Sequence, residues 1–310
     1  QFCKSDFFKK MAWLKDENDD IYDPSYTDML RVAFTTEFKR GKLQDLVALL
    51  SGRNFESKQY EESIVQLSFN RLRSSILLFM NETNFKQFVL IIRSAGFVSS
   101  SLIGSQNALN FAYIIYLTLR AIKEPKNNIE SYVRRWFVFS TLTGRYSASP
   151  ESTFDYDIRQ IHSVGFKNFA DVMFDGELSD SFWDIRLPKE LETSVSSSPL
   201  FRVFIAAQVK LGDKGFLSKD ISTRELIEVK SDVHHIFPKD FLKKHGYNRS
   251  QYNQIANYAI TQSEINIAIG NKAPNVYINE VFNYVQKGKQ KYGNISDIKA
   301  LKTNFVMNCI

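Results

Sequence analysis

SDVHHIFPKDFL, residues 231–242, places two adjacent histidines before an apolar residue and a proline. A second stretch, NYAITQSEIN at residues 257–266, begins and ends with an asparagine. Neighbouring side chains on a β-strand point to opposite faces, so His234 and His235 would have different surroundings. One imidazole could then bind a metal ion while the other moves a proton.

The paired histidines, the proline and the two asparagines together resemble the HNH, or His-Me finger, nucleases. In that family a ββα metal motif carries a histidine before a hydrophobic-x-proline turn, then an asparagine, then a second asparagine or histidine. The stretch also resembles the HNH module of CRISPR-guided DNA nucleases, whose two asparagines are nine residues apart, as Asn257 and Asn266 are here. That module has an aspartate in the place of His234 and the general-base histidine in that of His235.

The whole chain resembles the C-terminal part of the GmrSD-type restriction and anti-phage proteins, in which a helical region precedes an HNH endonuclease domain. The resemblance rests on residues 135–147 (RWFVFSTLTGRYS), 233–242 and 255–274. The N-terminal domain of that family, which is ParB-like, has no counterpart in this sequence. The resemblance therefore allows such a domain as a partner that lies outside the sequence given. His234 departs from the aspartate of many relatives, which weakens the charge at the metal but keeps a usable ligand.

The chemistry of phosphodiester hydrolysis suits these residue types. A neutral imidazole is well matched to removing a proton from water near neutral pH, and His235 is the expected catalytic base. The resemblance implies that His234 and Asn266 bind a divalent cation, Mg²⁺ or Mn²⁺, which would stabilise the developing negative charge. Asn257 would either hold the main chain of the metal motif or orient the His235 ring, and Asp232 would support a ligand from outside.

The net charge of +6 is concentrated near the C-terminus. Residues 230–310 contain 11 lysines and arginines against 5 acidic residues, so this segment accounts for the whole excess. A basic segment with clustered histidines indicates chemistry on a polyanion, and DNA is the expected partner. The candidate phosphate contacts are Lys239, Lys243, Lys272 and Arg145, although a solvated charge or a loop hydrogen bond explains Lys272 and Arg145 equally well.

The spacing of apolar residues predicts the fold class. Between residues 27 and 212 they recur every three or four positions, which is typical of amphipathic helices. Beyond residue 219, Leu226–Asp232 (LIEVKSD) and residues 258–261 have the pattern of short strands, and helices are expected from Pro274 and Asn294. We therefore expect a mainly α protein, with a multi-helix domain at residues 1–215 and a small α+β HNH-like (ββα-metal) nuclease domain at residues 216–310.

The amino-acid composition bears on the class of protein and on the cellular compartment. With 44% hydrophobic and 24% charged residues the chain has a globular composition, and neither a GxxxxGK nor a GxGxxG nucleotide cradle occurs. The most apolar stretch, residues 108–119, is too short to span a membrane. Two widely separated cysteines without a CxxC pair favour a reduced, cytoplasmic setting. The start at Gln1, without an apolar signal core, is expected to be a cut inside a longer protein.

The leading hypothesis is a metal-dependent HNH endonuclease that hydrolyses DNA, in restriction of foreign or modified DNA. One alternative is a non-catalytic nucleic-acid-binding module derived from such a nuclease. Another is a nuclease directed at RNA, since none of the named residues reports on a 2′ hydroxyl.

Overall fold

The computed structural model describes residues 9–10, 12–14, 21–55, 57–192 and 198–310. These residues are mostly helical and include a small two-stranded antiparallel sheet, which confirms the predicted mainly α class. The chain divides into two compact units. The first comprises Gln1–Ser94 and Ser105–Ser179, and the second comprises Ala95–Gly104 and Asp180–Ile310.

The first unit is built around one buried helix, Gln106–Ala121, in which every residue from 108 to 119 is buried. This helix begins at Ser105, whose hydroxyl accepts a hydrogen bond from the main-chain N–H of Ala108. A helix that is buried all round must be covered by others, and the helices Lys126–Leu142 and Tyr26–Phe38 supply most of that cover. In chain order the helices are α1 (Tyr26–Phe38), α2 (Leu43–Leu50), α3 (Glu62–Phe79), α4 (Glu82–Ser94), α5 (Gln106–Ala121), α6 (Lys126–Leu142), α7 (Pro150–Val164) and α8 (Phe166–Glu177).

The second unit combines helices with the sheet, and its core lies between the sheet and the last helices. It also has short 3₁₀ turns at Ser100–Leu102 and Ile255–Asn257 and a π turn at Phe182–Arg186. The regular elements are α9 (Leu187–Leu191), α10 (Pro199–Leu211), α11 (Thr223–Glu228), β1 (Asp232–His235), α12 (Lys239–Lys244), α13 (Arg249–Tyr252), β2 (Tyr258–Thr261), α14 (Ser263–Ile269), α15 (Pro274–Val285) and α16 (Ile298–Met307).

The sequence prediction of a strand over Leu226–Asp232 is wrong. A capping box between Ser222 and Glu225 starts α11 there, because each side chain satisfies a main-chain N–H of the other residue. The strand begins only at Asp232. The structure contains the predicted strand at residues 258–261 and the predicted helix from Pro274. The last helix begins at residue 298, where Asp297 caps it, and not near 294.

The predicted domain boundary near residue 215 falls inside the second unit. Helix α10 belongs with the sheet because the Phe201 ring packs against the Tyr258 ring of β2, with centroids 5.5 Å apart. The same helix is tied to the end of α16 through Gln208, whose Nε2 donates to the carbonyl oxygen of Met307 at 2.9 Å. Residues 180–192 and 198–215 therefore contribute to the unit that contains the paired histidines.

One buried asparagine of α16 fixes the segment before α11. Asn304 accepts a hydrogen bond from the main-chain N–H of Leu217 at 2.9 Å and donates to the carbonyls of Gly215 and Ser218. Phe216, inside this segment, donates its main-chain N–H to the carbonyl of Ile260 in β2. The segment thus lies along the free edge of β2, with the Phe216 ring in the core.

In the described part of the chain, no helix has both the length and the apolar character that a membrane span requires.

Candidate functional site

The paired histidines lie on β1, which pairs antiparallel with β2. His234 is opposite Ala259, and His235 is opposite Tyr258. After β2 the chain enters α14, which carries Asn266 back beside β1. The order strand, strand, helix is the order that a ββα motif requires, and the pleat places the two imidazoles on opposite faces of the strand.

His234 lies in the core, and only 2% of its surface is exposed. Its ring stacks on Phe216, with centroids 5.6 Å apart and planes 14° from parallel, and it meets the edge of Tyr277 at 6.2 Å. Nδ1 is 2.7 Å from Oδ1 of Asn266, whereas Nε2 is buried without a hydrogen-bond partner among the described residues. Burial lowers the pKa of His234, so the ring is neutral near pH 7.

A neutral His234 has a defined arrangement of its one proton. The amide oxygen of Asn266 can only accept a hydrogen bond, so Nδ1 of His234 carries the proton and donates it. The amide nitrogen of Asn266 donates in turn to Oδ2 of Asp232 at 3.2 Å. Asp232 and His234 are two residues apart on β1 and share a face. The structure thus brings together the two predicted metal ligands and the predicted supporting carboxylate.

His235 has a different environment. It is half-buried, and its ring stands edge-on to Tyr258 with centroids 5.0 Å apart. Nε2 is 3.0 Å from Oδ1 of Asn253. Because an amide oxygen accepts only, the neutral ring donates from Nε2 and keeps its lone pair on Nδ1. An imidazole held in this tautomer presents Nδ1 as a proton acceptor.

The turn that follows the histidines is held by Asn257. Its Oδ1 accepts the main-chain N–H of Phe237 at 2.7 Å, and its Nδ2 donates to the carbonyls of Phe237 and Tyr252 at 3.0 and 2.9 Å. The hydroxyl of Tyr277 adds a bond to the carbonyl of Ile236. Of the two roles predicted for Asn257, the structure has the first, since the His235 ring is oriented by another residue.

Sequence reasoning missed Asn253 and Tyr277. Asn253 is four residues before Asn257 and belongs to no pattern in the chain. Tyr277 is 41 positions after the carbonyl of Ile236 that it binds, and at helical spacing it reads as an ordinary core aromatic. Each role depends on a contact that only the folded chain reveals.

Two predicted phosphate contacts lie on the surface of the second unit. Lys239 and Lys243 are exposed on α12, and their ammonium groups are 5.8 and 5.9 Å from the ring centre of Tyr252. Lys243 is also 4.0 Å from Asp240, an exposed pair that leaves it accessible. Because Tyr252 directly precedes Asn253, these cations lie on the side of the site that holds His235.

The other two candidate cations are already paired. Lys272 is bound to the hydroxyl of Tyr292 and, at 3.1 Å, to the carboxylate of Glu280, and these hydrogen bonds raise its pKa. Arg145 lies in the first unit with 9% of its side chain exposed, and carboxylates already occupy its guanidinium. We therefore remove Arg145 from the candidate phosphate contacts and regard Lys272 mainly as part of a local ion pair.

The described residues contain no group of three or more histidine, cysteine, aspartate or glutamate side chains placed to hold a metal ion. The set around Asn266 is sparser, with one carboxylate, one imidazole and one amide. Such a set suits a cation that keeps water in most of its coordination positions, and it does not suit a closed zinc centre.

Comparison with known proteins adds no relative: no family model, no curated protein and no solved structure matches this chain.

Proposed function

We propose that this chain is a metal-dependent endonuclease of the HNH type, which hydrolyses phosphodiester bonds of DNA in restriction of foreign or modified DNA. The observation that carries the proposal is the environment of His235, a half-buried imidazole whose Nε2 is held by Asn253. The turn beside it is fixed by the three hydrogen bonds of Asn257. A rigid imidazole in a defined tautomer is what a general base requires.

The residues around Asn266 fit a hard divalent cation. An amide oxygen and a carboxylate are the ligand types that Mg²⁺ and Mn²⁺ prefer, and both are half-buried and next to one another. A cation bound at this amide oxygen and carboxylate would stabilise the charge that develops on the phosphate oxygens.

The side chains of this chain would divide the remaining work. His235 would take a proton from the attacking water at Nδ1, while Asn253 keeps the ring in place. Lys239 and Lys243 would contact flanking phosphates, since both are exposed on the same side. Asn257 would keep the histidine turn rigid.

A nicking assay tests the proposal. Supercoiled DNA is incubated with the parent chain in Mg²⁺, in Mn²⁺ and in EDTA, and with His235→Ala under the same conditions. We expect metal-dependent nicking by the parent and a loss of roughly 10²- to 10⁴-fold in rate for His235→Ala, with duplex affinity at fixed salt nearly unchanged. His245→Ala is the matched control, because His245 is exposed and bonds to a carbonyl of its own helix.

Three results would contradict the proposal. Equal rates for His235→Ala and the parent would exclude this base. Tight DNA binding without cleavage in either metal would favour the non-catalytic binding module. Cleavage of a single-stranded or duplex RNA in a parallel reaction, with DNA left intact, would favour the RNA-directed nuclease.

A further inference from the structure

A histidine that ligates a metal ion must present a nitrogen lone pair toward it. His234 presents neither nitrogen in this way. Its Nδ1 carries the proton that is donated to Asn266, and its Nε2 is buried without access to solvent or to a partner among the described residues. Rings of Phe216 and Tyr277 cover it further. The histidine that the sequence assigns to the metal is therefore positioned as a core residue.

Asp232 has what His234 lacks. It lies on the same face of β1, it is half-buried rather than buried, and one of its oxygens is 3.2 Å from the amide nitrogen of Asn266. It forms no ion pair with any residue that the structure describes. A carboxylate brings a full negative charge to a hard cation, whereas a neutral imidazole and an amide bring none.

We propose that Asp232 and Asn266 are the protein ligands of the divalent cation, and that His234 is a positioning residue that fixes the amide of Asn266. The hydrogen bond from Nδ1 uses one lone pair of Oδ1 and leaves the other for a cation. The stack against Phe216 holds the donor in place. This inference rests on the metal dependence in the proposed function and assigns its ligands.

Direct measurement of Mn²⁺ binding tests the assignment without relying on activity. The free aquo ion gives an electron paramagnetic resonance signal that disappears on binding, so the 310-residue chain can be titrated in the absence of DNA. Asp232→Asn keeps the shape of the side chain and an oxygen for the Asn266 amide, and we expect it to weaken Mn²⁺ affinity by at least about tenfold.

Two further variants separate the roles. His234→Asn retains a side-chain N–H near the position of Nδ1, and we expect its Mn²⁺ affinity to stay within about threefold of the parent. Asp240→Asn is the matched control, because Asp240 is an exposed carboxylate on α12 that also accepts a hydrogen bond from an asparagine, Asn271. Its Mn²⁺ affinity should equal that of the parent.

The outcomes are distinguishable. If the parent binds Mn²⁺ and Asp232→Asn binds it equally well, the ligand assignment is overturned while the proposed function stands. A loss for His234→Asn as large as that for Asp232→Asn, in a variant that melts like the parent in EDTA, also overturns it. If His234→Asn does not fold, the Asp232→Asn variant decides alone. A parent chain that binds no Mn²⁺ contradicts both the metal dependence and the assignment.

Discussion

Each of the two units contains a polar cluster, and the clusters differ in how completely their groups are paired. In the first unit, Arg145 binds both oxygens of Asp157 and also Glu177. The hydroxyl of Tyr146 donates to Asp157 and accepts from the indole N–H of Trp136 at 3.0 Å. Burial by itself would lower the pKa of Arg145, but the hydrogen bonds and charge of Asp157 outweigh it and raise the pKa. Every charge in this cluster has a fixed partner.

The cluster around Asn266 in the second unit is less complete. Asp232 has no cation beside it within the described residues and is only half-buried, so its carboxylate is an accessible acceptor, whereas Nε2 of His234 lacks a partner but is enclosed in the core. The comparison teaches that a polar cluster with all its groups paired serves stability, whereas one with unused acceptors can take a ligand or a proton. The pairing in the first unit also gives a structural role to the stretch RWFVFSTLTGRYS, residues 135–147. This stretch contains Trp136, Arg145 and Tyr146, which make up most of the cluster around Asp157.

The largest effect is expected from Asp157→Ala. It leaves the buried Arg145 with Glu177 as its remaining carboxylate partner, and breaking a buried pair costs about 3–5 kcal/mol. Thermal unfolding measures this loss. Lys167→Ala is the control, since it breaks an exposed pair with Asp171 within helix α8, worth less than about 0.5 kcal/mol. Equal melting temperatures for the two variants would show that the first cluster does not serve stability.

A smaller loss is expected from Asn257→Ala. Removal of the amide leaves the main-chain N–H and carbonyl of Phe237 in the turn, and the carbonyl of Tyr252, without these partners, which should cost about 2–3 kcal/mol of stability. Nicking should fall as well, because the turn no longer holds His235. Asn271→Ala, which removes an exposed asparagine, should change neither quantity. Retention of full stability in Asn257→Ala would contradict a structural role for this amide.

A modest effect on rate is expected from Asn253→Ala, by about tenfold, with an unchanged melting temperature. The variant frees the His235 ring but removes no group that contacts substrate. Asn253→Asp restores an acceptor and should recover the rate, while the acidic limb of its pH–rate profile moves to higher pH because a carboxylate favours the protonated imidazole. A profile identical to that of the parent would argue against contact between the two side chains during turnover.

The smallest effect concerns pH. Burial lowers the folded-state pKa of His234 below its ordinary value of 6.5, so the unfolded chain binds more protons in the interval between the two values. The contribution of His234 to stability is therefore complete above about pH 6.5 and is lost as the pH falls through the folded-state pKa. The free energy of unfolding decreases by about 1.4 kcal/mol for each unit by which folding lowers the pKa of His234. Melting temperatures from pH 7.5 to 5 should decrease more for the parent than for His234→Asn.

The comparison of slopes has an internal reference. Burial also lowers the pKa of His162 in the first unit, so this residue adds the same kind of acid sensitivity to the parent and to His234→Asn. A difference between the parent and His234→Asn in how the melting temperature changes with pH is then due to His234 alone. Parallel curves would mean that the His234 ring is not buried as the structure places it.

Local patterns were sufficient for part of the fold and of the site. The histidine pair, the strand at residues 258–261 and the helix from Pro274 could be predicted because each depends on spacing within a few residues. The burial of His234 could not, since it is produced by Phe216 and Tyr277, which are distant in sequence. The pairing of Arg145 likewise depends on carboxylates from two later helices, α7 and α8. The segment from residue 226 was predicted as a strand because the apolar residues Leu226, Ile227 and Val229 were given more weight than the capping box before them.

The position of Asn304 has a consequence for synthesis. This residue fixes the segment that carries Phe216, the ring that covers His234, and it comes later in the chain than every residue of the candidate site. Strand β1, which carries the histidines, can pair with β2 as soon as both have left the ribosome. The Phe216 ring cannot be fixed over His234 until α16 has been translated. Since a chain emerges at about 5–20 residues per second, the centre is completed seconds after its own residues appear. A nascent chain therefore carries an unfinished centre until translation has passed Asn304.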